Sequence, residues 1–451
     1  MKQMLPTQLT NEECTVCKWE MALILLCFFT CLAGATLLPV NQCPDEGGRV
    51  LLSQWMVLNH TLPTGNEMET IIKGWGFSYA LRPFLSSIVG GVFQSFFSLF
   101  TSVPKVLLVG ARMCSVLSVT LCCWFCLRLG RRCFSGRYSS FLFAALVCFV
   151  PQVQFLGMYQ NNDSLSLCAV SAMLYCLTEG FDNHWQVKTC IKLAVSLSVG
   201  ALSYYVAYPW FLMGGVFFIF SVVHDGEIPD KARFILSRGG LVAGICLVLA
   251  GWFFVRNAML HQGDFWGFTS ELSSRAGFME KGELLYKYIS AKTAGISFLS
   301  FLQKDNYWFI WSTVMSFFGM FGYMNIVMPR WLYITYYLLT VAGVMIFCFC
   351  LLLKRLSFRN WLLATISAAA SFIVIGLHTW HSYARDFQPQ GRYIITVALL
   401  LGFLIAWGMD TLQMGSSRRN SLRDICPLLA GLVWIALFGC AAVSTMSKMI
   451  L

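Results

Sequence analysis

The fold is decided by residues 21–40, MALILLCFFTCLAGATLLPV, which lead into the polar segment QCPDEGGR at residues 42–49. The apolar stretch contains no charged side chain, and about 20 apolar residues form an α-helix long enough to cross a bilayer. It is long for the apolar part of a cleaved leader peptide, and no clear small-residue cleavage site follows it. The sequence therefore predicts a membrane-anchoring helix that ends in a polar loop.

The composition of the whole chain points the same way. Of its 451 residues, 57% are hydrophobic and only 12% are charged, about half the roughly 25% of charged residues in soluble domains. This excludes a soluble enzyme, a disordered chain and a single-pass receptor. We therefore expect an all-α integral membrane protein with about eleven transmembrane helices, forming a single multi-pass domain over residues 1–451 without a separate soluble domain. The predicted helices are at about 21–40, 104–127, 139–157, 161–179, 190–205, 206–223, 236–257, 331–353, 360–378, 393–411 and 427–446.

Two other features of the sequence bear on this count and on stability. The apolar run at 84–102 contains glycines, serines and Gln94, which suit an interfacial or re-entrant helix better than a twelfth span. Most of the 19 cysteines lie inside apolar runs, where cysteine packs as a small apolar residue. We therefore expect no disulfide framework.

The short loops on one side of the predicted helices are all basic, and basic loops mark the cytoplasmic side of a membrane protein. We therefore place the N-terminus and these loops in the cytoplasm and read the net charge of +11 as a marker of sides, with no nucleic-acid partner. Two long loops, at about 41–103 and 258–330, are then outside, and we expect short interfacial helices in both. The basic loop residues are Arg128, Arg131, Arg132, Arg137, Lys188, Lys192, Lys231, Arg233, Arg238, Lys354, Arg355, Arg359, Arg418, Arg419 and Arg423.

Two groups of polar residues in the outside segments contain carboxylates. Asp45 and Glu46 follow Pro44 just after the first predicted helix, where a carboxylate that reaches a hydroxyl proton can act as a general base. The alternative is a pair of solvated loop acids. Asn162 and Asp163 open the fourth predicted helix, and the alternative for them is helix capping, since Asn and Asp satisfy the free N–H groups of a first turn.

Two other outside groups contain arginine, whose guanidinium binds phosphate oxygens in a bidentate manner. Arg256 ends the seventh predicted helix, where it either clamps a phosphate or extends its head group to the water. Arg385 and Arg392 belong to the segment RDFQPQGRY, 385–393. Arg392 at a predicted helix start is a good phosphate site. His378 and His381 lie just upstream, but a metal pair lacks an obvious third ligand.

These segments, taken in order, resemble the GT-C superfamily of membrane glycosyltransferases, and more closely a poorly characterised group of bacterial multi-pass membrane proteins within it. The resemblance rests on five motifs between about residues 44 and 393. One departure is visible, because the group often has a histidine three residues after the glutamate and this chain has Arg49. The motifs are Pro44-Asp45-Glu46, Asn162-Asp163, Trp252 to Asn257, Gly319 to Asn325, and Gln390-Gly391-Arg392-Tyr393.

The resemblance implies the GT-C fold and an inverting transfer of a sugar from a polyprenyl-phosphate donor to a glycan, lipid or protein acceptor of the cell envelope. The site would face the outside of the cytoplasmic membrane. Asp45 would be the general base, with Glu46 as the alternative, and Asp163 would orient the acceptor or Asp45. Arg392 and Arg256 would hold the leaving lipid phosphate. A divalent cation, Mg²⁺ or Mn²⁺, between Asp45 and Asp163 stays open. Further substrate-binding candidates are Arg49, Asn162, Arg385, Gln390 and Tyr393.

Two other classes of function fit the same composition. A polyprenyl-lipid or polysaccharide transporter would also have apolar helices with few buried charges, although transporter sites tend to lie near the bilayer midplane. The polar candidates here cluster instead at one predicted surface. An inactive assembly subunit of an envelope-polymer system is the third possibility, because Arg49 stands where the resembling group often has histidine.

Overall fold

The computed structural model describes residues 18–40, 42–284, 289–414 and 421–449. These residues form sixteen α-helices and five short 3₁₀ turns. The helices are α1 Lys18–Leu37, α2 Glu46–Asn59, α3 Leu85–Ser98, α4 Pro104–Cys133, α5 Ser139–Cys148, α6 Pro151–Met158, α7 Asp163–Asp182, α8 Val187–Ala201, α9 Tyr208–His224, α10 Lys231–Leu260, α11 Phe268–Glu280, α12 Phe298–Gly319, α13 Arg330–Leu353, α14 Phe358–Ala384, α15 Val397–Met414 and α16 Ser421–Ser444. The 3₁₀ turns are Met68–Thr70, Tyr79–Leu81, Tyr205–Ala207, Gly391–Ile394 and Met446–Met449.

The strands in the described residues form two small antiparallel hairpins. β1 (Ile71–Ile72) pairs with β2 (Phe77–Ser78), so that Ile71 lies opposite Ser78. β3 (Met320–Phe321) pairs with β4 (Ile326–Val327), so that Met320 lies opposite Val327. The β1–β2 hairpin lies in the first long loop and the β3–β4 hairpin in the second. The fold class is therefore all-α, as the sequence predicts.

Each of the eleven predicted apolar runs coincides with a helix or a helix pair. In the described part of the chain, eight helices are long and apolar enough to cross a membrane, and the pair α5–α6 counts as a ninth if it is one bent span. The pair bends by 64° where Pro151 starts α6, because proline cannot donate the hydrogen bond that would continue the helix. α3 and α15 are shorter apolar helices, and α8 has only 15 residues. The described part of the chain therefore supports eight or nine of the eleven predicted transmembrane helices by length and composition. The integral-membrane class is thus confirmed.

The region from 84 to 102 forms α3, which has only 14 residues and packs along α4. A helix of that length is about 21 Å long, which is shorter than the hydrocarbon core of a bilayer. The interfacial or re-entrant interpretation therefore fits, and a twelfth span does not. The expected short helices in the two long loops are also present, as α2 and α11.

The loops that the sequence assigns to one side do lie together. Arg131 at the end of α4 pairs with Glu20 at the start of α1. Arg132 and Arg359, from the ends of α4 and α14, both pair with Asp182. These contacts gather helix ends from four different helices at one end of the bundle. Arg418 and Arg419 lie outside the described residues.

The acidic residue Asp410 of α15 lies in a predicted transmembrane helix, and the structure shows which groups bind its carboxylate. Its carboxylate accepts hydrogen bonds from the backbone N–H groups of Ser135 and Gly136 at 3.1 and 2.6 Å and from the Ser139 hydroxyl at 2.7 Å. A carboxylate before a helix N-terminus satisfies free N–H groups and complements the helix dipole. Asp410 therefore anchors the start of α5.

The predicted orientation can be tested with a membrane-impermeant thiol reagent on intact cells. A cysteine at Asn66, exposed in the first long loop, is expected to react, because this loop is predicted to be outside. A cysteine at Gln186, exposed between α7 and α8, should react only after lysis. Labelling of the parent chain gives the background. Labelling at Gln186 and not at Asn66 in intact cells would reverse the orientation.

Candidate functional site

The loop after α1 is held by a fully buried ion pair between Glu46 and Arg112. The Arg112 Nε and Nη2 atoms lie 2.7 and 2.8 Å from the two carboxylate oxygens of Glu46, and both side chains are at most 1% exposed. Arg112 Nη1 also donates to the carbonyl oxygens of Ala35 and Leu38 at 2.8 and 2.7 Å. A helix leaves its last carbonyl groups without partners, so Arg112 closes the end of α1.

This pairing decides which of the two acidic residues reaches the solvent. Glu46 uses both oxygens on Arg112 and accepts a further hydrogen bond from the backbone N–H of Gln160 at 3.2 Å. It does not line a cavity. Asp45, one residue earlier, has φ 62° and ψ −3°, a left-handed conformation that is uncommon for a residue with a Cβ. This turn aims the Asp45 carboxylate away from Glu46 and into a cavity.

Asp45 is bound from behind by Arg392. The Arg392 Nη2 atom lies 2.6 Å from Asp45 Oδ2 and donates a second hydrogen bond to the Tyr393 hydroxyl at 2.9 Å. Burial opposes ionisation of Asp45, but the charges of Arg392 and Arg49 outweigh it and hold the pKa of Asp45 below its usual value. Asp45 is therefore a carboxylate at neutral pH, and its side chain is 16% exposed to the cavity.

Asp163 lies on the other side of the same guanidinium. Its Oδ2 atom is 4.0 Å from Arg392 Nη1, and both side chains are 4% exposed. The Asp163 Oδ1 atom is buried without a hydrogen-bond partner among the described residues. The structure thus brings together Asp45, Asp163 and Arg392, which are separated by more than 100 residues along the chain.

Close backbone packing fixes the position of Arg392. The N–H of Gly391 donates to the Ser316 hydroxyl in α12 at 2.7 Å. A Cβ atom at position 391 would lie 2.1 Å from the Phe317 nitrogen, so only glycine allows the 391–394 turn to lie against α12. Arg392 itself does not line the cavity, which differs from the expectation that it faces a phosphate. Its head group is directed at the two carboxylates.

The cavity in front of Asp45 has a volume of about 720 Å³, within the range of small-molecule sites. Its walls come from the β1–β2 loop, the turn between α8 and α9, helix α11, and the end of α14 with the segment that follows. One part is apolar and another is polar and aromatic, so an amphipathic ligand fits it. Lining residues include Asp45, Arg49, Tyr79, Arg82, Tyr204, Tyr205, Leu272, Arg275, Val374, Leu377, His378, Trp380, His381, Arg385 and Tyr393.

Two of the four arginines that line the cavity already bind a carboxylate. Arg82 donates to both oxygens of Glu271 at 2.7 and 2.6 Å, and Arg275 Nε lies 3.6 Å from the same carboxylate. Arg49 and Arg385 have no carboxylate within ion-pair distance in the part of the chain that the structure describes. Arg49 stacks on Tyr79 with its guanidinium carbon 4.4 Å from the ring centroid, and its buried Nε has no partner there.

The remaining candidates lie outside the cavity. Asn162 bonds Ser86 and the Pro83 carbonyl, the latter at 3.1 Å, so it positions the start of α3. Gln390 donates to the Gln388 side chain at 2.7 Å. Arg256 Nη2 donates to the carbonyl oxygens of 62 and 63 at 3.0 and 2.9 Å. Arg256 therefore takes part in the packing of the first long loop on α10, and its role as a phosphate clamp stays a prediction.

The two remaining motif segments also shape this end of the molecule. Asn257 donates to the Leu81 carbonyl at 2.9 Å, next to the contact of Arg256 with the same loop. The segment 319–325 forms the β3–β4 hairpin, where the Met320 N–H donates to the Gln152 side chain at 3.1 Å and Phe321 packs on Phe155. Of the five motifs, two therefore pack against neighbouring loops and helices, and the other three meet around Asp45.

Sequence reasoning missed several lining residues. Arg82 and Glu271 lie in the two long loops, where charge carries no information about membrane side, and their pairing over 189 residues leaves no local pattern. Tyr79 and Tyr204 are single aromatic residues among many. His378 and His381 were noticed as a spaced pair, and the structure places both on the cavity wall. Only their spacing at i, i+3 on one helix face could have pointed to them.

The close group of metal-ligand side chains that the described residues form lies away from the cavity. Among the described residues, the group of three or more such ligands with atoms close together consists of Cys122, Cys126 and Cys148, all fully buried between α4 and α5. None of the three lines the cavity. No disulfide bond joins the seventeen cysteines that the structure describes.

Comparisons with known proteins agree with the architecture. The model of a family described as "Predicted membrane protein (DUF2142)" matches residues 91–401. A comparison with curated protein sequences found no match. Several solved structures of glycosyltransferases with the GT-C fold are similar to this chain over almost its whole length.

Three of these structures illustrate the similarity. The oligosaccharyltransferase AglB from Archaeoglobus fulgidus, in complex with an inhibitory peptide and a dolichol-phosphate, is 13% identical with a TM-score of 0.53; 95% of this chain covers 56% of that one. ArnT from Cupriavidus metallidurans, bound to undecaprenyl phosphate, is 16% identical with a TM-score of 0.53, with 96% and 74% covered. The Archaeoglobus enzyme in complex with Zn and sulfate is 14% identical with a TM-score of 0.54, with 93% and 52% covered.

These similarities establish that the chain has a GT-C-like fold, which confirms the resemblance in the motifs. At 13–16% identity they carry no activity with them. The chain spans just over half the length of the archaeal enzyme. The chemistry has to be argued from the residues at the cavity.

The first prediction from this geometry concerns stability. Glu46→Gln and Arg112→Met should each lower the free energy of unfolding by about 3–5 kcal/mol, because each leaves one buried charge without its partner. The double variant should be less destabilised than the sum of the two single changes. Thermal unfolding in detergent measures this, with the exposed Glu69→Gln as the matched control. A Glu46→Gln protein as stable as the control would contradict a structural role for the pair.

Proposed function

This chain belongs to the family of predicted membrane proteins DUF2142, and we propose that it is an inverting glycosyltransferase that uses a polyprenyl-phosphate-linked sugar. The observation that carries the proposal is an ionised carboxylate, Asp45, at the wall of a cavity of about 720 Å³ that also contains two arginines without carboxylate partners among the described residues. The solved structures of AglB and ArnT that share its fold contain polyprenyl phosphates, which supports the donor class.

The reaction requires a base on one side of the sugar and positive charge on the other. The acceptor hydroxyl oxygen forms a bond to the anomeric carbon, and the bond from that carbon to the phosphate oxygen breaks with inversion. Asp45 takes the hydroxyl proton, and the polyprenyl phosphate leaves with the bonding electrons. Pairing with Arg392 makes Asp45 a weak base, but the hydroxyl becomes acidic as its new bond forms, and a positioned base contributes about 10²–10⁴-fold.

The leaving phosphate is assigned to Arg49, with Arg385 as a second contact. Arg49 lies three residues after Pro44-Asp45-Glu46, on the first turn of α2, and presents a guanidinium without a carboxylate partner among the described residues. A phosphate is the kind of partner that such a group binds through two parallel hydrogen bonds. In this proposal Arg49 binds the leaving phosphate, the role that the sequence analysis gives to Arg392 and Arg256. The replacement of the group's histidine by Arg49 is then compatible with activity.

The lipid and the acceptor take the remaining walls. Val374, Leu377 and Trp380 of α14 form an apolar side that suits a polyprenyl chain. The aromatic side chains of Tyr204, Tyr205 and Tyr393 suit the faces of sugar rings. The acceptor in this proposal is the hydroxyl of an envelope glycan, lipid or protein on the outer side of the cytoplasmic membrane, the side that the loop charges predict for the cavity.

A direct test uses a panel of polyprenyl-phosphate sugars labelled in the sugar. The purified protein is incubated with each donor and with membranes from a strain that lacks the protein, which supply the acceptor. An enzyme releases polyprenyl phosphate and moves label into an acceptor. A flippase in sealed vesicles instead moves the intact donor across the bilayer without cleavage, and an inactive subunit does neither.

The general base is tested by Asp45→Asn, which keeps the shape of the side chain and removes proton acceptance. Transfer is expected to fall by about 10²-fold or more, while the protein still elutes as one species in detergent. Glu227→Gln, an exposed acid between α9 and α10, is the matched control and should transfer normally. Normal transfer by Asp45→Asn would remove Asp45 from the mechanism.

The phosphate contact is tested by binding of a polyprenyl monophosphate to variants of Arg49. Arg49→Ala should weaken binding by about 1.5–3 kcal/mol, the value of a hydrogen bond to a charged group. Arg49→Lys should lie between Arg49→Ala and wild type, since lysine keeps the charge and loses the bidentate fork.

Arg256→Ala is the informative comparison, because Arg256 binds loop carbonyl groups outside the cavity. It should leave the affinity for the polyprenyl phosphate unchanged. If Arg256→Ala weakens binding and Arg49→Ala does not, the phosphate lies at Arg256 and the assignment to Arg49 is wrong.

A further inference from the structure

Arg392 lies where a catalytic metal ion would have to bind. A divalent cation could be coordinated at this site by Asp45 and Asp163, the two carboxylates that lie beside the same guanidinium. The Arg392 guanidinium is between them, with Nη2 2.6 Å from Asp45 and Nη1 4.0 Å from Asp163. Magnesium and manganese bind carboxylate oxygens at about 2.0–2.2 Å, so an ion bound to both would overlap the guanidinium.

The charges at this site also disfavour a divalent ion. Asp45 is ionised, and Arg392 already compensates its charge inside a buried cluster. A divalent ion would bring two further positive charges to within a few ångströms of a guanidinium, which repels it strongly where water is scarce. Arginine does not lose its proton in proteins, so Arg392 cannot make way by becoming neutral.

The described surroundings supply no third ligand, and they fix the backbone that carries Arg392. A divalent site usually has three or more protein ligands or several waters. In the described ranges no third His, Cys, Asp or Glu joins Asp45 and Asp163 in a close group, since the group of that kind is the distant thiol cluster. The backbone at Gly391 is pressed against α12 and bonded to Ser316, so the start of the Arg392 side chain is fixed.

We propose that Arg392 is a built-in cation that replaces a divalent metal between Asp45 and Asp163, so that sugar transfer by this chain is independent of metal ions. The second half of this inference rests on the proposed function, and the first half does not. Arg392 is a positioning residue in this scheme. It holds the Asp45 carboxylate in place and ionised, and Asp163 completes the pairing from the other side.

The inference predicts that wild type binds no metal ion at this site and that a variant without the guanidinium binds one. Purified wild-type protein should bind no Mn²⁺ that depends on Asp45, as followed by the electron paramagnetic resonance signal of free Mn²⁺. Arg392→Ala opens the space between two buried carboxylates and should bind one Mn²⁺ per chain, and Asp163→Asn added to it should abolish that binding. Arg392→Lys keeps a cation there and should behave like wild type.

Each outcome of the binding experiment decides the first half of the inference. Mn²⁺ binding by wild type that is lost in Asp45→Asn would overturn it, and so would a folded Arg392→Ala protein that binds no Mn²⁺. If Arg392→Ala does not elute as a single folded species, wild type and its Asp45→Asn variant still decide, because they ask whether a metal binds beside Arg392.

Transfer assays decide the second half separately. Wild-type turnover of a polyprenyl-phosphate sugar should be the same before and after treatment with a chelator, and Mn²⁺ should not stimulate it. Turnover that a chelator abolishes and Mn²⁺ restores would overturn metal independence. Absence of transfer under every condition would instead overturn the proposed function, while the Mn²⁺ binding result would still report on Arg392.

Discussion

The buried ion pair between Arg112 and Glu46 is the interaction on which the cavity end of the molecule depends. A charge inside an apolar helix is costly unless every donor is satisfied, and Arg112 satisfies its donors with one carboxylate and with the last carbonyl groups of α1. The end of α1, the start of α2 and the first third of α4 must therefore meet at one point. Asp45, one residue before Glu46, is placed by that junction.

The proposed chemistry of the site depends on a second cluster of charges, around Arg392, which differs from the pair at Arg112. Arg392 faces two carboxylates where Arg112 faces one, and one of the two, Asp45, is open to a cavity. A fully balanced buried pair is inert, whereas a carboxylate that is ionised, positioned and partly exposed can accept a proton. The same types of side chain thus form a structural joint at Arg112 and a candidate reactive centre at Arg392.

Several features of the site could be predicted from the sequence, and the reasons differ. Asp45, Asp163 and Arg392 were recognisable because polar residues at the ends of apolar helices are few, and helix ends with the same predicted side share a surface. Glu46 could not be separated from Asp45, since adjacent acids in a loop look alike until a partner 66 residues away selects one. The sequence predicts Arg256 and Asn162 as ligand-binding residues, whereas in the structure both side chains donate hydrogen bonds to backbone carbonyl oxygens.

The sequence by itself determined the membrane class, the positions of the helices and the helix ends that lie together, because runs of apolar residues and loop charges are local properties with a direct physical meaning in a bilayer. Only the tertiary structure decided which charge binds which. Arg392 reaches Asp45 across 347 residues, and its guanidinium contacts two carboxylates where the sequence predicts a phosphate contact. Pairing at such distances depends on how the helices pack, and no local pattern in a single chain records it.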